Sequence, residues 1–162
     1  MAMKRQLLLI RHAEAANMPG VKDFDRPLTD KGLISAAKLG RALNNEDITI
    51  DWVYSSTALR AADTCKLIAE QLRISNAHIT FHEALYNINL GGMLNLVQHF
   101  DDLLHTIAII GHNPTLSYLA EYVTHETGFN LETGMGVLIQ FEADTWFLVG
   151  ESTGKVAWSK TF

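Results

Sequence analysis

Two short apolar runs constrain this chain more than any other feature: QLLLI at 6–10 and TIAII at 106–110. A strand with one wet face alternates polar and apolar residues. A strand without that alternation is covered on both faces, and such strands belong to mostly parallel sheets with helices on either side. The sequence supplies the helices. Residues 33–43 place Leu33, Ala36, Ala37, Gly40 and Leu43 at helical spacing. Ala61, Cys65, Ile68 and Leu72 do the same within 59–72, and Met93, Val97, Phe100 and Leu104 within 93–104. Leu116, Leu119, Ala120 and Val123 mark a fourth helix. Residues 51–55, DWVYS, read as another strand, and 78–82 as a short edge strand. The tail reads as two strands, 136–142 and 146–150, joined by a tight turn through Ala143 and Asp144, with a last short strand around Val156–Trp158. The expectation is a three-layer α/β/α fold. Its central sheet is mostly parallel, with an antiparallel strand and a C-terminal hairpin.

Size and charge narrow the function classes. At 162 residues, the whole of 1–162 is expected to form a single domain. The net charge of -5 comes with no basic stretch suited to nucleic acid. A phosphate substrate would therefore be drawn by local cations rather than by the global field. Cys65 is the only cysteine, so an intrachain disulfide is excluded. The run Leu7–Ile10 is too short for a signal-peptide core or a membrane span. A cytoplasmic protein without a membrane partner is expected.

In open α/β sheets ligands bind beyond the carboxyl ends of the strands. The turns after Ile10, Tyr54 and Ile110 hold Arg11-His12-Ala13-Glu14, Ser55-Ser56-Thr57-Ala58-Leu59-Arg60 and Gly111-His112-Asn113-Pro114. Two arginines and two histidines should converge on one sheet edge. Guanidinium forks match phosphate oxygens. A neutral imidazole attacks phosphorus, and a charged one stabilises a phosphoryl group. Asn113 suits a helix N-cap and Pro114 the first helical position, which would set His112 at an anion-binding helix start. Which histidine attacks is left open by these residues alone.

The set resembles the histidine phosphatase superfamily. Arg11-His12-Ala13-Glu14 is similar to its Arg-His-Gly-type motif, and Ser55 to Thr64 to its Ser-Ser-Pro-x-x-Arg-Ala-x-x-Thr pattern. Gly111-His112 matches its late Gly-His motif. The stretches Arg26-Pro27-Leu28-Thr29-Asp30-Lys31-Gly32, Gly111-His112-Asn113-Pro114 and Thr133-Gly134 look like the short SixA-type phosphohistidine phosphatases. The resemblance implies a phosphoglycerate-mutase-like fold, with His12 attacking phosphorus to form a phosphohistidine intermediate. It implies that Arg11, Arg60 and His112 bind the phosphoryl oxygens, and that no metal or cofactor is required.

The chain departs from the pattern twice. Ala13 stands where many relatives have glycine. Many relatives also carry a carboxylic general acid in a Leu-x-Glu pattern, whereas Leu85-Tyr86 here leads to Asn87, with Glu83 nearby as a substitute. An alkoxide leaving group needs a proton in the transition state, and a phosphorylated imidazole needs it less. The sequence therefore leans toward phosphohistidine in a protein, or a similar activated small-molecule phosphate. The rivals are a sugar-phosphate phosphatase or mutase, and a non-catalytic phosphate-binding module.

Other residues carry two readings each. Arg26 either extends the positive lip of the pocket or is a loop arginine held by Asp23 or Asp25. Asn17, Ser55 and Asn113 are further substrate-binding candidates. His78 and His82 should share a strand face, without further metal ligands nearby. His99, His105 and His125 read as surface residues. Cys65 and the tryptophans Trp52, Trp146 and Trp158 read as packing residues.

Overall fold

The two apolar runs form the middle of a six-stranded sheet in the computed structural model, which describes residues 3–162. In chain order the elements are β1 (Lys4–Arg11), α1 (Asp30–Asn45), β2 (Trp52–Ser55), α2 (Leu59–Leu72), β3 (Ile79–Phe81), α3 (Leu90–Gln98), β4 (Thr106–Gly111), α4 (Thr115–Thr124), β5 (Gly136–Glu142) and β6 (Gly154–Lys160). The sheet order is β3-β2-β4-β1-β5-β6. The first four strands in that order are parallel, and β5 runs antiparallel to both β1 and β6.

Period-two alternation divides the apolar runs between two cores. Leu8, Ile10, Ala108 and Ile110 pack with Leu39, Leu43, Cys65 and Ile68 of α1 and α2. Leu7, Leu9, Ile107 and Ile109 pack with Met93, Val97, Leu116 and Leu119 of α3 and α4. The three layers expected from the sequence are present, and the carboxyl ends of β2, β4 and β1 lie side by side.

Two expectations need correction. Residues 146–150 do not form a strand. Trp146 is fully buried, its main-chain N–H donates to Asp102 Oδ1 at 2.8 Å, and its indole N–H donates to the Leu104 carbonyl at 2.8 Å. Those bonds hold Trp146–Leu148 in a 3₁₀ turn. The partner of β5 is therefore β6, which extends well beyond the short strand expected around Val156–Trp158. The third helix also stops early, at Gln98. Beyond it Phe100 remains in the core, stacked on Tyr54 with ring centroids 4.8 Å apart, while Arg5 takes the carbonyls of Asp102 and Leu104. Apolar spacing continued past the point where the backbone turned away.

Among the described residues no helix is long and apolar enough to cross a membrane. Also among them, no group of three His, Cys, Asp or Glu side chains could hold a metal ion.

Candidate active site

The ends of β1, β2 and β4 enclose a cleft of about 470 Å³ lined by Arg11, His12, Glu14, Asp23, Arg26, Arg60, Tyr86, Asn87, His112 and Asn113, among others. Arg11 is the last residue of β1 and His12 follows it. Gly134 fixes this end. Its N–H donates to the carbonyls of Arg11 at 3.2 Å and His12 at 3.0 Å, and its φ of 73° is one that glycine adopts without strain. Ala13 is fully buried beside Leu28 and Ala36, and its N–H donates to Thr64 Oγ1 at 3.0 Å. Alanine thus fits where relatives have glycine. Thr64 also donates to the Arg60 carbonyl at 2.7 Å, linking the first turn of α2 to the end of β1.

His12 is 7 % exposed and its tautomer follows from its partners. Nδ1 lies 2.7 Å from the Ala13 carbonyl, which only accepts, so Nδ1 carries the proton. Nε2 accepts from Arg60 Nε at 3.2 Å, as a lone pair must when it faces a guanidinium. Burial pushes the His12 pKa down to about 4; the Ala13 bond opposes this, and Arg60, Arg11 and Arg26 add to it. The nitrogen that faces the other cleft residues keeps its lone pair at neutral pH.

His112 has the opposite tautomer. Its Nδ1 faces Arg60 Nη2 at 3.5 Å, where a lone pair rather than a proton meets the guanidinium, so Nε2 carries the proton, 2.8 Å from Ser56 Oγ. The two rings are 5.2 Å apart. Burial, then the neighbouring His12 and Arg60, push the His112 pKa down to about 3. In the free protein His112 is neutral, not the charged imidazole expected from the sequence.

The motif 26–32 builds the lip. Thr29 caps α1 by accepting from the Gly32 N–H at 3.0 Å. A Cβ on Gly32 would lie 2.2 Å from the Glu14 carbonyl, so only glycine allows α1 to begin this close to the β1 loop. Arg26 donates to the carbonyls of Ala16 at 3.0 Å and Ala15 at 3.3 Å, and to Asp23 Oδ1 at 3.0 Å. It lines the cleft and also ties the loop.

The other candidates divide. Asn113 lines the cleft but is engaged: Nδ2 donates to the Leu131 carbonyl at 2.8 Å, and Oδ1 accepts from Ser117 Oγ at 2.9 Å and its N–H at 3.3 Å. It joins to Pro114 by a cis peptide bond, and α4 begins at Thr115, one residue later than expected. Ser55 is fully buried and donates to the Ser56 carbonyl; the serine that meets His112 is Ser56. Asn17 is exposed and outside the cleft lining. Glu83 is exposed in a 3₁₀ turn and is also outside the lining, so it is not placed to substitute for an acid. His78 and His82 flank β3 rather than sharing its face; His82 Nδ1 accepts from the Ala84 N–H at 3.3 Å.

Three cleft residues are not among the site residues expected from the sequence. Asp23 accepts from Arg60, Arg26 and Tyr86, and these bonds hold its carboxyl well below the usual carboxylate range, Tyr86 contributing most. The Tyr86 ring meets Phe24 edge-on at 5.0 Å and His112 at 5.5 Å. Glu14 lies on the wall, accepting from Thr29 Oγ1 at 3.0 Å. Asp23 was visible only as a counter-ion for Arg26. Its reach to α2 joins residues 37 positions apart, which no local pattern encodes.

Comparison with known proteins agrees with this geometry. Residues 7–105 match the histidine phosphatase superfamily (branch 1), and the chain belongs to that family. An uncharacterised protein of Mycobacterium tuberculosis is 32% identical over 111 residues, spanning 68% of this chain and 67% of its own length. A 2,3-bisphosphoglycerate-dependent phosphoglycerate mutase of Methylobacterium radiotolerans is 31% identical over 99 residues, 58% of this chain but 46% of the mutase. Among solved structures the fold is similar to a SixA-type protein of Nakamurella multipartitia, with TM-score 0.85 and 23% identity over 98% of this chain and 96% of that one. The protein histidine phosphatase SixA complexed with tungstate gives TM-score 0.78 and 21% identity, covering 96% of each chain.

Proposed function

We propose that residues 1–162 act as one cytoplasmic domain that hydrolyses phosphohistidine in proteins, or similarly activated phosphomonoesters, through a covalent intermediate on His12. The observation that carries this reading is the His12 tautomer: Nδ1–H is held by the Ala13 carbonyl, and the Nε2 lone pair meets Arg60 inside the cleft. Nε2 attacks phosphorus as the bond to the leaving group breaks, and that bond's electron pair departs with the leaving group. A phosphohistidine on His12 results. Water then attacks phosphorus, the P–Nε2 bond breaks, and inorganic phosphate leaves while Nε2 regains its lone pair. The proton released by water goes to the phosphate or to solvent.

The phosphoryl oxygens need positive partners. Arg11 Nη1 donates to the Leu131 carbonyl at 3.0 Å, while its buried Nε has no protein partner. Such an orphaned donor costs about 1–3 kcal/mol until it is met. Arg11 and Arg60 both line the cleft, and their guanidinium groups supply two positive partners to the phosphoryl oxygens. His112 takes up a proton at Nδ1 as the dianion enters, since an anion reverses the balance that keeps it neutral. Guanidinium and imidazolium charge thus do the neutralising that a metal does elsewhere. The tungstate held by the SixA structure is an oxyanion of the same kind.

Asp23 on the wall is not a good acid, because its donors, Tyr86 first, hold it ionised. The Glu14 carboxylate on the wall accepts from Thr29 Oγ1. Asn87, which cannot donate as a carboxylic acid does, also lies on the wall. A phosphoimidazole protonated on its other ring nitrogen leaves as neutral imidazole and needs no such acid. The expected result is a kcat/KM on a phosphohistidine protein at least about 100-fold above that on alkyl phosphates. A preference for the alkyl esters would instead favour the sugar-phosphate reading.

A further inference from the structure

Each nitrogen of the Arg60 guanidinium is engaged in the free protein. Nε donates to His12 Nε2 at 3.2 Å, Nη1 to the Asp23 carbonyl at 2.6 Å, and Nη2 to Asp23 Oδ2 at 3.1 Å. The outer edge of the fork, where a phosphoryl group would dock, is filled by Asp23. This is not an ordinary buried ion pair. The Arg60 side chain is 7 % exposed, but that of Asp23 is 54 % exposed. The carboxylate stands between solvent and the guanidinium, on the wall of the cleft.

Asp23 meets the fork with its main-chain carbonyl on Nη1 and one carboxylate oxygen on Nη2, two oxygens placed as those of a phosphoryl group would be. We propose that Asp23 is the affinity-determining residue of this site: one carboxylate oxygen and the main-chain carbonyl of Asp23 together occupy the Arg60 fork as an internal substitute for the phosphoryl group, and the carboxylate is displaced when phosphate binds. This rests on the phosphatase reading of the same cleft and adds a competitor to it. The Asp23–Asp25 turn is held over the cleft from outside the Arg60 fork. Tyr86 donates to Asp23 Oδ2 at 2.6 Å, Arg26 to Oδ1 at 3.0 Å, and Phe24 meets the Tyr86 ring edge-on. The flanking residues Lys22 and Arg26 are extended, so the turn is a short flap joined by two extended residues. Once displaced, the carboxylate keeps Arg26 and Tyr86 as partners, which limits what its departure costs.

The alternative is that Asp23 positions Arg60 for His12. The two roles give opposite signs. A competitor, when removed, leaves a better phosphate site; a positioning residue, when removed, leaves a worse one. The test is calorimetric titration of the full chain with inorganic phosphate, for wild type, Asp23→Ala, Asp23→Asn, Tyr86→Phe and Asp25→Ala. Both Asp23 variants are expected to bind phosphate about tenfold tighter, the ratio for one released charge-assisted bond. Tyr86→Phe, which loosens the competitor without removing it, should tighten binding about threefold. Asp25→Ala changes the same charge two residues away and should shift affinity less than about twofold. Unchanged or weaker binding in both Asp23 variants overturns the proposal and leaves the phosphatase reading standing. Equal tightening by Asp25→Ala also overturns it, because the effect would then be net charge. Absence of phosphate binding in wild type and in both Asp23 variants sinks the proposal and the phosphatase reading together.

Discussion

The two arginine walls of the cleft are built differently. On the β1 side, Arg11 is half-buried with a main-chain carbonyl on one nitrogen and an unmet Nε. On the α2 side, Arg60 is buried with all three nitrogens engaged, one of them by His12. The first wall leaves one guanidinium nitrogen without a protein partner. The second is a hub that orients His12 and is covered by Asp23. One cleft can thus combine a waiting donor with one that must be uncovered, and losing the two arginines should not cost the same.

The largest expected contrast is in catalysis. Arg60→Ala removes phosphoryl contact and His12 orientation together and should lower kcat/KM about 10³-fold; Arg11→Ala should cost about 10²-fold. Equal losses, or a larger one for Arg11, would break the distinction between the walls. The next concerns the serines after β2. Ser56→Ala frees His112 Nε2 and should lower kcat/KM about tenfold. Ser55→Ala should leave kcat/KM unchanged and cost about 1 kcal/mol in denaturant melts.

Protonation comes third. The pKa values of His12 and His112 fall from 6.5 to about 4 and about 3. Between those values and 6.5 the unfolded chain binds protons that the folded chain does not. Stability therefore rises with pH across that window and falls as acid is added. Imidazole NMR should show both rings neutral at pH 6, and His112→Ala should flatten the fall in Tm between pH 6.5 and pH 4. An imidazole titrating near 6.5 at either position would contradict the burial argument. The smallest effect is at Glu83: Glu83→Gln should leave kcat/KM within about twofold, since the side chain is exposed and away from the cleft lining.

How much was legible in the sequence follows the same division. The wall at β1 and the two histidines stand at ends of strands that unbroken apolar runs betray, so Arg11, His12 and His112 could be placed at one edge before any coordinates. Arg60 followed from its position in the first turn of α2. Asp23 and Tyr86 could not be placed this way. They come from 3₁₀ and loop segments, and they meet Arg60 through contacts set by tertiary packing. Ser55 and Ser56 show the limit at single-residue scale: adjacent serines at a strand end point in different directions, and composition does not say which one faces the cleft. In the tail, apolar content at 146–150 read as strand, but Trp146 anchors to the 102–104 loop through its own N–H groups. Burial alone does not distinguish a strand from an anchored turn.

The central claim is that His12 Nε2 accepts the phosphoryl group. Rapid acid-free quench of the enzyme with a ³²P-labelled phosphohistidine protein, followed by peptide mapping, tests it directly. The account predicts acid-labile, base-stable label on His12 at Nε2, absent from His12→Ala. Label on His112, or turnover retained by His12→Ala, would contradict it.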